Sequence, residues 1–173
     1  MTRRSIALLL PLALLGCSTT AGPSASDVAG QFYATTIKGK ITGAPTAEQL
    51  ATLTPYLSDT LRSLLAAARK RSEAESAKAP DEKPSFAEGD LFSSLFEGPN
   101  AVSVLADSAR GDQRVAPVKM SAIATPPVEW VDRVILVKQR DRYVVDDIEY
   151  GGTWDFANKG TLRSTLVSGI TAP

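Results

Sequence analysis

Trp130-Val131-Asp132-Arg133-Val134-Ile135-Leu136-Val137-Lys138, then Gln139-Arg140-Asp141-Arg142, then Tyr143-Val144-Val145-Asp146-Asp147-Ile148-Glu149-Tyr150, is the stretch on which the fold turns. The first segment is rich in β-branched side chains, and Val131, Val134, Ile135, Leu136 and Val137 make both of its faces apolar. A strand that is apolar on both faces belongs in the interior of a sheet. The polar Gln139 to Arg142 segment is a turn, so Tyr143 to Tyr150 pairs back antiparallel as the last strand.

Upstream, Val102, Val104 and Ala106 alternate along Ala101 to Ala106 and predict another strand, and Gly111 makes Asp107 to Arg114 a turn. Val115 to Ile123 reads as the next strand. Pro117 within it removes a ladder donor and argues for an edge position or a bulge. Pro126-Pro127 lies in the connection to Trp130.

The first half of the chain has a different period. From Ser26, taken as an N-cap, Val28, Phe32 and Thr36 recur at helical spacing beside Ala29, Tyr33 and Ile37, until Gly39 and Gly43 break the pattern. Thr46 with Gln49 forms a capping box for a short helix through Leu50 and Leu53, closed by Pro55. Ser58 caps a third helix carrying Leu61, Leu64, Leu65 and Ala68. Its charged or small tail, Arg69 to Lys78, is expected to project into water, and Ala79 to Ser85 is a loop. After Gly151-Gly152, Thr161 to Ile170 predicts a terminal helix with Leu162, Leu166, Val167 and Ile170 on one side. Helices first and an antiparallel meander afterwards give an α+β domain, with helices packed on one face of a curved sheet.

The amino terminus carries an address. Arg3 and Arg4 precede an apolar run from Ile6 to Leu15, and Leu14-Leu15-Gly16-Cys17 resembles a bacterial lipobox. In such signals the chain is cut before the cysteine, whose thiol carries fatty acyl chains such as palmitate that tether the mature protein to a membrane. The apolar run is short and interrupted by Pro11, which argues against a transmembrane span of about 20 apolar residues. An ordinary secretory signal would leave Cys17, the only cysteine, as an orphan thiol, whereas acylation accounts for it. The expected organisation is therefore a signal peptide over residues 1–16, a lipidated tether over 17–25 and a single α+β domain over 26–173. Ser18 resembles the residues that permit sorting to the outer membrane in diderm bacteria, facing the periplasm.

Composition narrows the chemistry. The chain has no histidine, so neither a Ser-His-Asp nor a Cys-His arrangement can be built, and a zinc site would need carboxylates alone. No glycine-rich phosphate loop follows a strand. The formal charge of +0 turns slightly acidic once Arg3 and Arg4 leave with the signal. Arg69-Lys70-Arg71 is read as a solvated helix face, which leaves no electrostatic footprint for nucleic acid. No cofactor and no metal are expected, and the inventory favours binding over catalysis.

Phe86-Ala87-Glu88-Gly89-Asp90-Leu91-Phe92-Ser93-Ser94-Leu95-Phe96-Glu97-Gly98, with Tyr143 to Ile148 and Gly151 to Thr161, resembles a group of uncharacterised bacterial lipoproteins and periplasmic proteins of unknown function. The resemblance covers residues 27 to 170. It implies a nuclear transport factor 2-like, cystatin-like cone and an envelope location, carries no established catalytic residues, and makes Arg69 to Lys83 a possible insertion.

Strand parity puts Val144, Asp146, Ile148 and Tyr150 on one face, which makes Asp146 the inward carboxylate of the Asp146-Asp147 pair. Asp146 then either anchors a ligand or acts as a base in an apolar cavity, or it fixes the sheet by bonding backbone amides or Arg133. Tyr33, Trp130 and Trp154 join it as candidate ligand-binding residues, since large rings with a polar handle line pockets as well as cores. Phe32, Phe92 and Phe96 are assigned to the core, with Phe92 and Phe96 on one helical face, and Asn158-Lys159-Gly160 is a turn. The expected function is a membrane-anchored envelope lipoprotein whose domain binds a small apolar ligand or an envelope protein without catalysis. One alternative is a protective, immunity-type inhibitor of an exported toxin or hydrolase; the other is a cone-fold proton-transfer enzyme with Asp146 as base and Tyr33 as donor.

Overall fold

The structure, a computed structural model, describes residues 22–123 and 126–172. The expected acylation site, Cys17, lies outside the described residues. Helix α1 spans Ala25–Lys38 and opens on Ser24, whose hydroxyl accepts the Asp27 N–H while the Asp27 carboxylate accepts the Ser24 N–H. This reciprocal cap displaces the expected one at Ser26. The Ser26 hydroxyl is instead directed at the sheet, donating to Asp107 Oδ1 at 2.7 Å and accepting the Asp107 N–H at 3.2 Å, with the Leu105 carbonyl 3.3 Å away.

The capping box at Thr46 and Gln49 forms as expected and starts α2, Ala47–Leu53. A 3-10 turn, Thr54–Tyr56, leads to α3, Asp59–Lys78, capped by Ser58. The tail of α3 does not simply project into water. Ser72 is buried, Arg71 donates to the carbonyls of Ile170 and Ala172, and Glu75 pairs with Arg71 and accepts the Ser85 N–H. One side of the charged tail thus ties down both the following loop and the end of the chain.

The sheet contains β1 (Ala101–Val104), β2 (Ser108–Arg110), β3 (Gln113–Ala122), β4 (Val128–Gln139) and β5 (Arg142–Glu149), ordered β1-β3-β4-β5 with β2 also beside β3. All pairings are antiparallel. β4 is interior, as its two apolar faces require. β3 is interior as well, so Pro117 is not on an edge strand; the other expected outcome, a bulge, is met on the facing side, where residues 105–107 lie opposite residues 116 and 117. Pro117 lies opposite the gap between β1 and β2, where its carbonyl accepts the Leu105 N–H at 2.8 Å. The return bond that a proline cannot donate falls at the interruption of the ladder between β1 and β2.

The β4–β5 hairpin turns on Arg140 and Asp141, both at positive φ (50° and 62°). That is the conformation whose twist matches paired strands, adopted here without glycine. Further along, the register shifts: Ile135 pairs with Asp147 but Leu136 pairs with Val145, so Asp146 is the extra residue of a β-bulge. The bulge breaks the parity assumed from sequence. The face turned to the core is formed by Tyr143, Val145, Ile148 and Tyr150, and Val144 and Asp146 do not share it.

Alternate residues of β3 (Ala116, Val118, Met120) and β4 (Trp130, Val134, Leu136) join Val145 and Ile148 in one core with Phe32, Leu53, Leu65 and Leu166. Since all four helices feed this core while Lys119, Val131 and Arg133 on the opposite face are exposed, the helices cover one side of the sheet. α4, Leu162–Thr171, closes it against α3 and β5. The domain is α+β, four helices on an antiparallel sheet.

Candidate functional site

The interior between the helices and the sheet is filled by large side chains. Phe32, Tyr33, Phe92, Met120, Leu136 and Ile148 are all fully buried. Phe32 meets the rings of Tyr33 and Phe92 edge-on at 5.1 and 5.3 Å. Tyr33 is part of this filling: its hydroxyl donates to the Phe92 carbonyl at 2.8 Å, and burial, reinforced by Asp132 and Asp90, pushes its phenol well above its ordinary range. A phenol so placed holds a loop in position and is not offered to a substrate.

That loop, residues 86 to 98, is irregular and not helical, so Phe92 and Phe96 do not share a helical face. Phe92 is core, whereas Phe96 is 46% exposed. What holds the loop is a buried carboxylate of β4. Asp132, fully buried on the inward row of β4, accepts the Ser94 N–H and the Gly151 N–H, each at 2.8 Å, the Trp130 indole N–H at 3.0 Å, and the Ser94 hydroxyl. The Ser94 hydroxyl in turn accepts the Gly152 N–H at 2.9 Å. Four donors on one carboxylate satisfy a charge that would otherwise be costly to bury. Period-2 spacing with Trp130, Val134 and Leu136 was the available signal, a carboxylate on an apolar row.

Through this hub the 86–98 loop and the 151–160 loop become one unit. Asn158, read from sequence as part of a turn, donates to the carbonyls of Ser93 (2.8 Å) and Asp90 (3.2 Å), and Lys159 donates to those of Trp154 (2.7 Å) and Gly152 (3.0 Å). Gly152 is required at the junction, since a Cβ there would lie 2.7 Å from that of Ser94 and 2.9 Å from that of Ala157.

Beside this unit opens an apolar groove of about 550 Å³, walled by Leu95, Ala122, Ile123, Val128, Trp154 and Phe156, with Glu97 and Asn100 at its rim. Ile123 is 89% and Phe156 77% exposed. Of the expected ligand-binding residues, Trp154 alone lines this groove; its indole N–H is buried without an acceptor among the described residues. Trp130 stands behind it, edge-on at 5.7 Å, with its own N–H committed to Asp132.

Asp146 is elsewhere, buried against α4, where Arg163 donates to it at 2.6 Å. The bulge that displaces it from the core face turns it to this partner, and neither backbone amides nor Arg133 are its partners in the structure. Tyr33 and Asp146 are engaged with different groups and neither lines the groove. Ser94, fully buried and bonded to a carboxylate, is equally closed to a substrate.

The groove has a definite position relative to the amino terminus. α1 contacts β1 and runs antiparallel to it: Ser26 at its start bonds beyond the end of β1, while Thr36 and Ile37 near its close share a cavity with Pro99 and Asn100 before the start of β1. Asn100 also rims the groove. The helix is 14 residues long, about 21 Å. The groove therefore opens at the end of the molecule opposite to where the chain enters at Gly22.

Among the described residues no helix is long and apolar enough to cross a membrane. No family model matches the chain, and no solved structure matches it. The chain is similar to the uncharacterized lipoprotein YbjP of Escherichia coli (strain K12), 28% identical over 185 aligned positions that cover 96% of this chain and 98% of the relative. A likeness that spans nearly the whole of both chains, joined to Leu14-Leu15-Gly16-Cys17, supports a lipid-anchored bacterial envelope lipoprotein.

Proposed function

We propose that this lipoprotein is a non-catalytic binding protein that takes an apolar ligand in the groove beside Trp154. The observation carrying the proposal is the contrast between a fully packed core and a groove of about 550 Å³ whose large apolar side chains stand in solvent. Its volume falls within the roughly 300–1,000 Å³ of small-molecule sites. Exposed apolar groups grouped around a rigid concavity are the usual mark of a binding surface.

The same proposal places acyl chains such as palmitate on Cys17 and the anchor in the outer membrane, with the domain in the periplasm. Binding requires no cofactor or metal and no nucleic acid. N-terminal helices on one face of an antiparallel meander support a nuclear transport factor 2-like cone, here with its interior filled and its binding surface moved to the rim. The exposed rings also suit a protective role against an exported protein, in which Ile123 and Phe156 would insert into the partner.

Native mass spectrometry of the protein gently released from its own membrane tests both halves. The expected result is a chain beginning at an acylated Cys17 that retains a non-covalent apolar small molecule, lost when Trp154→Ala and Phe156→Ser are introduced. An unmodified cysteine would remove the anchor. A bare domain that also takes up no apolar compound would remove the groove, and a co-released protein would move the assignment to the protective role.

A further inference from the structure

The groove is not closed at Glu97. A second chamber of about 290 Å³ shares Glu97, Gly98 and Asn100 with it and continues to the carboxyl-terminal end of α1. The chemistry of this chamber differs. Asp90 and Glu97 line it with Lys40, and the helix end contributes the negative pole of its dipole. Neither acid forms an ion pair among the described residues. Asp90 is brought to the wall by backbone: Gly98, at φ +76°, carries no Cβ where the Asp90 carboxylate lies. Burial is the main cause that raises the Asp90 carboxyl to about 7, with the Asp132 charge adding to this and the Phe92 and Ser93 amides opposing it, while Glu97 stands exposed at the edge of the chamber.

Resting on the groove being the binding site, we propose that the two chambers form one site for a small amphiphile with a single cationic nitrogen. Its apolar part lies against Trp154, Phe156 and Ile123, and its nitrogen beside Glu97 and Asp90. Charge complementarity selects this class: no basic residue lines the apolar chamber, whose lining includes Glu97, and in the polar chamber next to it two carboxyl groups, Asp90 and Glu97, accompany a single ammonium, Lys40.

The test uses the lipoprotein in nanodiscs, with empty nanodiscs subtracted, and follows tryptophan fluorescence on titration with phenethylammonium, phenethyl alcohol or phenylacetate. Phenethylammonium is expected to bind tightest, about fivefold tighter than the alcohol, the scale of one partly exposed charge pair. Glu97→Gln should remove most of that advantage and leave the alcohol unaffected; Asp90→Asn, if it folds, should do the same. Equal binding of ammonium and alcohol, or tighter binding of phenylacetate, would overturn the cationic preference while leaving the groove as an apolar site. If none of the three binds, the groove itself is lost.

Discussion

The two loops that meet at Asp132 and the groove they border are built from similar residue types put to opposite uses. Behind the junction, Trp130, Phe92 and Tyr33 are buried and every polar handle has a partner. A few ångströms outward, Trp154 leaves its indole N–H without an acceptor, and Phe156 and Ile123 stand in solvent. Aromatic content alone therefore does not separate core from site. Solvent exposure does: Ile123 and Phe156 stand outside the packing, while the Trp154 N–H, itself buried, is the exception among the described residues to the rule that an interior pairs its side-chain polar groups.

The sharpest way to break this contrast is to unpair the sealed side. Asp132→Ala would leave the donors of Ser94, Trp130 and Gly151 without their acceptor. It should cost about 3–5 kcal/mol of unfolding free energy by urea titration. A cost under about 1 kcal/mol would mean that the carboxylate does not organise the loops.

Asp90 sits on the boundary, and its titration should show it. A carboxyl that ionises near 7 in the folded chain against 3.8 ordinarily holds, in the folded state, a proton that the unfolded chain has released. Its contribution to stability is therefore greatest below about pH 4 and is lost as pH rises through about 7, by up to about 4 kcal/mol. Denaturation curves of wild type and Asp90→Asn between those pH values should diverge with that sign. Parallel curves would show that the carboxyl titrates normally.

The open side should be the least sensitive. Ile123→Ser and Phe156→Ser are expected to change stability by no more than about 0.5 kcal/mol, since these side chains are already solvated. A loss above about 2 kcal/mol in either would make them structural and merge the two regions into one.

Several elements were legible because their signals are local. The capping box at Thr46 and Gln49, the cap at Ser58 and the doubly apolar β4 each depend on neighbours within a few residues. Errors arose where a distant partner decided the outcome. Pro117 is accommodated in an interior strand because the facing ladder is interrupted opposite it, and the α3 tail is recruited by a loop and a terminus remote in sequence. The candidate site suffered most. Strict alternation along β5 is broken by a bulge at Asp146, so the buried carboxylate on the inward face is Asp132, on the strand beside it.

By itself the sequence determined the α+β order of elements, the likeness of Leu14-Leu15-Gly16-Cys17 to a lipobox and a composition without histidine, since these follow from short-range periodicity, motif and composition. Only the tertiary structure decided which carboxylate is sealed, which tryptophan is open and where the groove points. A register shift of one residue and the meeting of two loops about 60 positions apart, as when Gly152 donates to Ser94 over a separation of 58, are set by packing across the chain and leave no mark in any local window.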